Sequence, residues 1–67
     1  MRLIINGKIQ EFDGVLTVSD VVLQLGESLP GMFALEKNGQ IVFKENYSSE
    51  KLSDGDKLEI VGFTGGG

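Results

Sequence analysis

Cysteine and histidine are both absent from this 67-residue chain, and each absence closes off chemistry. Without cysteine there are no disulfides and no thiolate metal sites. Without histidine the commonest metal ligand and the commonest general base at neutral pH are missing, so hydrolytic or metal-dependent catalysis by the chain itself is not expected. Basic residues are few: six lysines and arginines against ten acidic residues give a net charge of −4. That balance disfavours nucleic acid, whose phosphates are bound by lysine and arginine. Long apolar runs are lacking too. Nothing approaches the length needed to span a bilayer, and Met1-Arg2 leads into a short apolar run that soon meets Asn6 and Gly7, unlike an export signal. The expectation is one small domain, soluble, cytoplasmic and monomeric when free, near the lower size limit for a core without staples.

What is abundant is glycine, and three of the ten glycines stand together in Thr64-Gly65-Gly66-Gly67. Such a run packs no core and loses much conformational freedom on ordering, so nothing structural favours it. A frayed terminus is the plain explanation. Against it stands the direct attachment to an apolar, strand-like run, Leu58-Glu59-Ile60-Val61-Gly62-Phe63, with no serine-rich linker between. The sequence therefore divides into a domain over 1–63 and a flexible tail over 64–67. Gly65 and Gly66, lacking Cβ atoms, can enter a channel too narrow for side chains and carry the carboxylate of Gly67 at the tip. Fully extended, that tail reaches roughly 13 Å.

The chain opens on β-forming Leu3-Ile4-Ile5, then Asn6-Gly7, the strongest short hairpin signal, and a returning strand from Lys8 to Phe12. Ile9 and Phe12 differ in parity, which an edge strand or a bulge tolerates. After Asp13-Gly14 the period changes: Val18, Val21, Val22 and Leu25 mark one face of a short helix. Thr17 sits at its N-cap with Asp20 three residues on, Leu16 and Val21 fit a hydrophobic staple, and Gly26 ends it. Phe33 to Lys37, Asn38-Gly39, and Gln40 to Phe43 form a second hairpin. A polar crossover from Lys44 to Ser53, pinned by Tyr47 and Leu52, leads through Asp54-Gly55-Asp56 to the last strand.

Two hairpins, one helix and a final strand bury their apolar faces together only if the helix lies across one sheet. The last strand enters the middle most economically, beside and parallel to the first. This is an α+β fold, the β-grasp or ubiquitin-like roll, with a mixed sheet of about five strands on one helix. Its expected core is Leu3, Ile5, Val18, Val22, Leu25, Leu35, Leu58 and Ile60. Parity then leaves Val61 and Phe63 on the opposite face with Ile4, an apolar patch near the tail where a partner would dock. Asp54, Asp56 and Glu59 lack the loop length of a calcium motif, and the glycines are followed by no helix that would make a phosphate loop.

Across nearly its whole length the sequence resembles the ThiS sulfur carriers of thiamine biosynthesis, relatives of MoaD and ubiquitin. The likeness rests on Asn6-Gly7, Thr17-Val18, Asn38-Gly39-Gln40-Ile41-Val42, Leu52 with Asp54-Gly55-Asp56, Glu59-Ile60-Val61, and the closing Gly66-Gly67. Lys44 departs from it, standing where many members carry arginine. The resemblance implies a protein co-substrate rather than an enzyme. A ThiF-type adenylyltransferase using ATP and Mg would activate Gly67 as an acyl-adenylate, and a donor such as a cysteine desulfurase would supply sulfur. The resulting thiocarboxylate would pass its sulfur to thiazole synthase. The same tail would suit a MoaD-like carrier for molybdopterin synthesis, a ubiquitin-like modifier or a plain interaction module.

Overall fold

The computed structural model describes residues 1–63. The order is β1 (Arg2–Ile5), β2 (Lys8–Glu11), α1 (Val18–Leu25), β3 (Phe33–Lys37), β4 (Gln40–Val42) and β5 (Lys57–Gly62), with single 3₁₀ turns at Gly26–Ser28 and Lys44–Asn46. All five strands form one sheet in the order β2-β1-β5-β3-β4. The final strand lies at the centre, parallel to β1 with Ile5 beside Leu58, and antiparallel to β3. This is the β-grasp arrangement expected from the sequence.

Both hairpins turn through Asn-Gly pairs with positive φ at both residues, 49° and 83° for Asn6-Gly7 and 50° and 87° for Asn38-Gly39. Such turns match the right-handed twist of the flanking strands. Each asparagine also reaches across to β5: Lys57 N–H donates to Asn38 Oδ1 at 2.9 Å, and Ile60 N–H to Asn6 Oδ1 at 2.6 Å.

Helix α1 begins in a closed capping box. The Asp20 amide donates to Thr17 Oγ1, and Asp20 Oδ2 accepts from the amides of Thr17 at 2.9 Å and Leu16 at 2.8 Å. Those two backbone bonds, Leu16 first, hold the Asp20 carboxyl below its ordinary range. Leu16 is exposed, so the staple expected between it and Val21 does not form the helix entry. The crossover does this work instead. The amides of Val18 and Ser19 donate to Glu50 O and Tyr47 O, each at 2.9 Å, and Leu52 N–H donates to Leu16 O at 2.9 Å. Donors that a helix start leaves unpaired are thus satisfied by irregular backbone.

The core gathers Leu3, Ile5, Val18, Leu35 and Leu58, as the alternation indicates, with Phe12, Val15, Val21, Val42 and Leu52. The helix presents Val21 rather than Val22 most deeply: Val21 has no exposed surface, while Val22, Leu25 and Ile60 pack half-buried at its margin. The parity conflict in β2 is resolved at the edge of the sheet. Ile9 points to the open face opposite Ile4, and Phe12, beyond the strand, turns into the core.

Candidate docking face and strand exit

Because side chains alternate along a strand, Leu58 and Ile60 face α1 while Lys57, Glu59 and Val61 face away from it. The uncovered side of the sheet is built from these three, their neighbours Ala34 and Glu36 on β3, Ile41 on β4, and Ile4 with Ile9 on β1 and β2. Val61 and Phe63 are 54% and 51% exposed.

The strand β5 outruns β1. Ile4 and Ile5 pair with Lys57 and Leu58, after which β1 turns away at Asn6-Gly7. Past that point the Asn6 side chain stands in for a strand: Nδ2 donates to Ile60 O at 3.0 Å and Oδ1 accepts from Ile60 N–H at 2.6 Å. On the other side Phe63 N–H donates to Met32 O at 3.1 Å, continuing the pairing with β3. Between these two fixings lies Gly62, pressed against Pro30. A Cβ at Gly62 would stand 2.5 Å from Pro30 Cγ and 2.7 Å from Pro30 Cβ, closer than van der Waals contact allows. The chain leaves the domain from a strand end held by an asparagine, a proline and a carbonyl.

Around this exit the apolar surface is broader than the sequence indicated. Phe63 lines a groove of about 520 Å³ together with Met32, Ala34, Ile41 and Phe43, and Lys44 stands at the same groove. Met32, Ile41 and Phe43 are exposed. Ile41 and Phe43 follow from alternation once Val42 is placed in the core; Met32 carries no such signal, since it precedes a strand in a loop. Ile4 does not join this group. It sits opposite Lys57, four residues and about 13 Å along β5 from Val61, and its apolar neighbour is Ile9 across the hairpin. Gly65, Gly66 and Gly67 lie outside the described residues.

No group of three or more acidic, cysteine or histidine side chains that would hold a metal occurs among the described residues. No helix among them is long and apolar enough to cross a membrane. The described residues thus end in a hydrogen-bonded strand with an exposed apolar face beside it, and the sequence continues in glycine.

The ThiS family model matches residues 3–67, so the chain belongs to the ThiS family, the sulfur-carrier family of thiamine biosynthesis. The crystal structure of a thiamine biosynthesis protein, ThiS, from Geobacter metallireducens superposes with a TM-score of 0.82 at 32% identity, covering all of both chains. The solution structure of a thiamine biosynthesis protein from the same organism gives a TM-score of 0.76 at 32% identity, covering all of this chain and 88% of that one. A thiazole synthase of Paramagnetospirillum magneticum is 43% identical over 67 residues, all of this chain but only 20% of that protein. The chain thus spans a fifth of the length of that curated relative.

Proposed function

We propose that this chain is the sulfur carrier for thiazole formation and that Gly67 is its working residue. Family membership and the glycines at 65–67 following a hydrogen-bonded strand support this reading. A carboxylate is ionised at neutral pH and a poor electrophile. It is activated by attack of a Gly67 oxygen on the α-phosphorus of ATP, with Mg, at the site of a ThiF-type adenylyltransferase, with loss of pyrophosphate. The terminal sulfur of a persulfide, carried by a donor such as a cysteine desulfurase, then displaces AMP at the acyl carbon, and a thiol cleaves the resulting acyl disulfide, leaving the Gly67 thiocarboxylate and a new disulfide on the donor side. The chain is the co-substrate of this sequence; the partner enzymes supply its catalysis.

The single observation that carries the thiazole branch over a MoaD-like one is the 43% identity to a thiazole synthase across every residue of this chain. A carrier similar to part of a thiazole synthase is suited to deliver sulfur to such an enzyme. The division of labour is physical. The folded domain is recognised, and Gly65 and Gly66, without side chains, present Gly67 to a confined reaction centre.

Single-turnover transfer tests the destination. Protein loaded with isotopically labelled sulfur, mixed separately with thiazole synthase and with the large subunit of a molybdopterin synthase, each with its other substrates, should label thiazole alone. Label appearing only in the dithiolene product would overturn the thiazole assignment.

A further inference from the structure

Glu36 of β3 and Glu59 of β5 stand directly opposite each other on the uncovered face of the sheet. Side chains so paired leave their strands about 5 Å apart, and like charges in that position destabilise a sheet. Among the described residues neither carboxylate forms an ion pair. The ion pairs among the described residues join the Met1 amine and Arg2 to Glu11 and Lys37 to Glu50, leaving Glu36 and Glu59 out. Lys57, two residues before Glu59 on the same face, makes no ion pair with either.

Ile41 lies across from Glu36 on β4, and the Ala34–Val61 pair lies one step toward the strand exit, followed by Phe43 and Phe63. Two negative charges therefore sit beside an exposed apolar strip on a protein of net charge −4. We propose that the Glu36–Glu59 doublet is the charged half of the docking site, and that its occupant is a partner protein surface placing an arginine or lysine between the two carboxylates while apolar side chains cover Val61, Phe43 and Phe63. A guanidinium suits this position best, since its fork can serve two carboxylates at once. A second copy of the chain is disfavoured, because an isologous contact would set the doublet against itself.

This inference rests on the carrier reading, with the ThiF-type adenylyltransferase as the partner. Its test uses Glu59→Lys, and a double variant Glu36→Gln with Glu59→Gln, against the wild type. Glu59→Lys turns a repulsive cross-strand pair into an attractive one, so it should melt at a higher temperature than wild type. Its association with the adenylyltransferase at low salt should nonetheless slow about tenfold or more. The double variant should fold normally and lose most of the salt dependence of association seen for the wild type. A purely structural role would move stability and binding in the same direction. Unchanged association rate and salt dependence in both variants, with wild type still converted to the thiocarboxylate in the same mixture, would overturn the doublet's role and leave the carrier reading intact. Wild type that neither binds nor is modified would overturn both. Sedimentation showing a wild-type dimer that the double variant tightens would assign the face to a second copy instead.

Discussion

The side-chain amide of Asn6 grips the peptide of Ile60 at both ends, donating to its carbonyl at 3.0 Å and accepting from its N–H at 2.6 Å. One residue thereby closes the first hairpin, with φ of 49°, and extends the pairing of β5 beyond the last residue of β1. Asparagine alone combines ready access to that backbone region with an amide that imitates a neighbouring strand. Asn6→Gly keeps the turn and removes the grip. We expect it to lower stability by about 1–2 kcal/mol in urea denaturation and to speed hydrogen exchange at the Ile60 amide before other β5 amides. Unchanged exchange there would mean the grip is not formed in solution.

Gly62 and Pro30 make a second such relationship. The Cβ of Gly62→Ala would fall 2.5 Å from Pro30 Cγ, so strand or loop must shift. The expected loss is roughly 1–3 kcal/mol. Pro30→Gly removes both clashing atoms, so the double variant should recover most of the loss beyond the effect of Pro30→Gly alone. Additive effects in the cycle would show that the two do not touch.

Asp20 gives stability a pH dependence. Amides of Leu16 and Thr17 bond its carboxylate and depress its pKa, so the folded state favours the ionised form. Its contribution is therefore fully present above the unfolded carboxylate value, near 4, and is lost as pH falls through the lower folded value. Asp20→Asn should melt below the wild type at neutral pH, and the gap should narrow as pH falls below about 4 and close only below the lower folded value. A gap independent of pH would place the effect in packing rather than in the charge.

On the helix, Val21 has no exposed surface whereas Val22 is only partly buried. Val21→Ala should therefore cost about 2 kcal/mol or slightly more, and Val22→Ala distinctly less. Equal losses in thermal unfolding would contradict the orientation of α1.

The architecture was readable because its signals are local and agree with one another. Asn6-Gly7 and Asn38-Gly39 define two hairpins, Thr17 and Asp20 define a helix start, and alternation through Leu58 and Ile60 assigns the faces of β5. The shortfalls come from interactions distant in sequence. An eight-residue helix has too few turns for periodicity to choose between Val21 and Val22; the crossover backbone at Tyr47, Glu50 and Leu52 sets its rotation. Ile4 shares the open face with Val61, but the pairing register that separates them is not encoded in either strand alone. Phe43 was legible by parity from Val42, while Met32 acquired its place only through the Phe63 pairing. The clash that requires glycine at 62 depends on a proline 32 positions away in the sequence.

Intact-mass spectrometry of the protein after incubation with its adenylyltransferase, ATP, Mg and a sulfur donor bears most directly on the role of Gly67. Exchange of one carboxylate oxygen for sulfur should add about 16 Da, localise by fragmentation to Gly67, and vanish when Gly66 and Gly67 are deleted from an otherwise folded chain. An unchanged mass in a mixture that thiolates another carrier of the family would contradict the account.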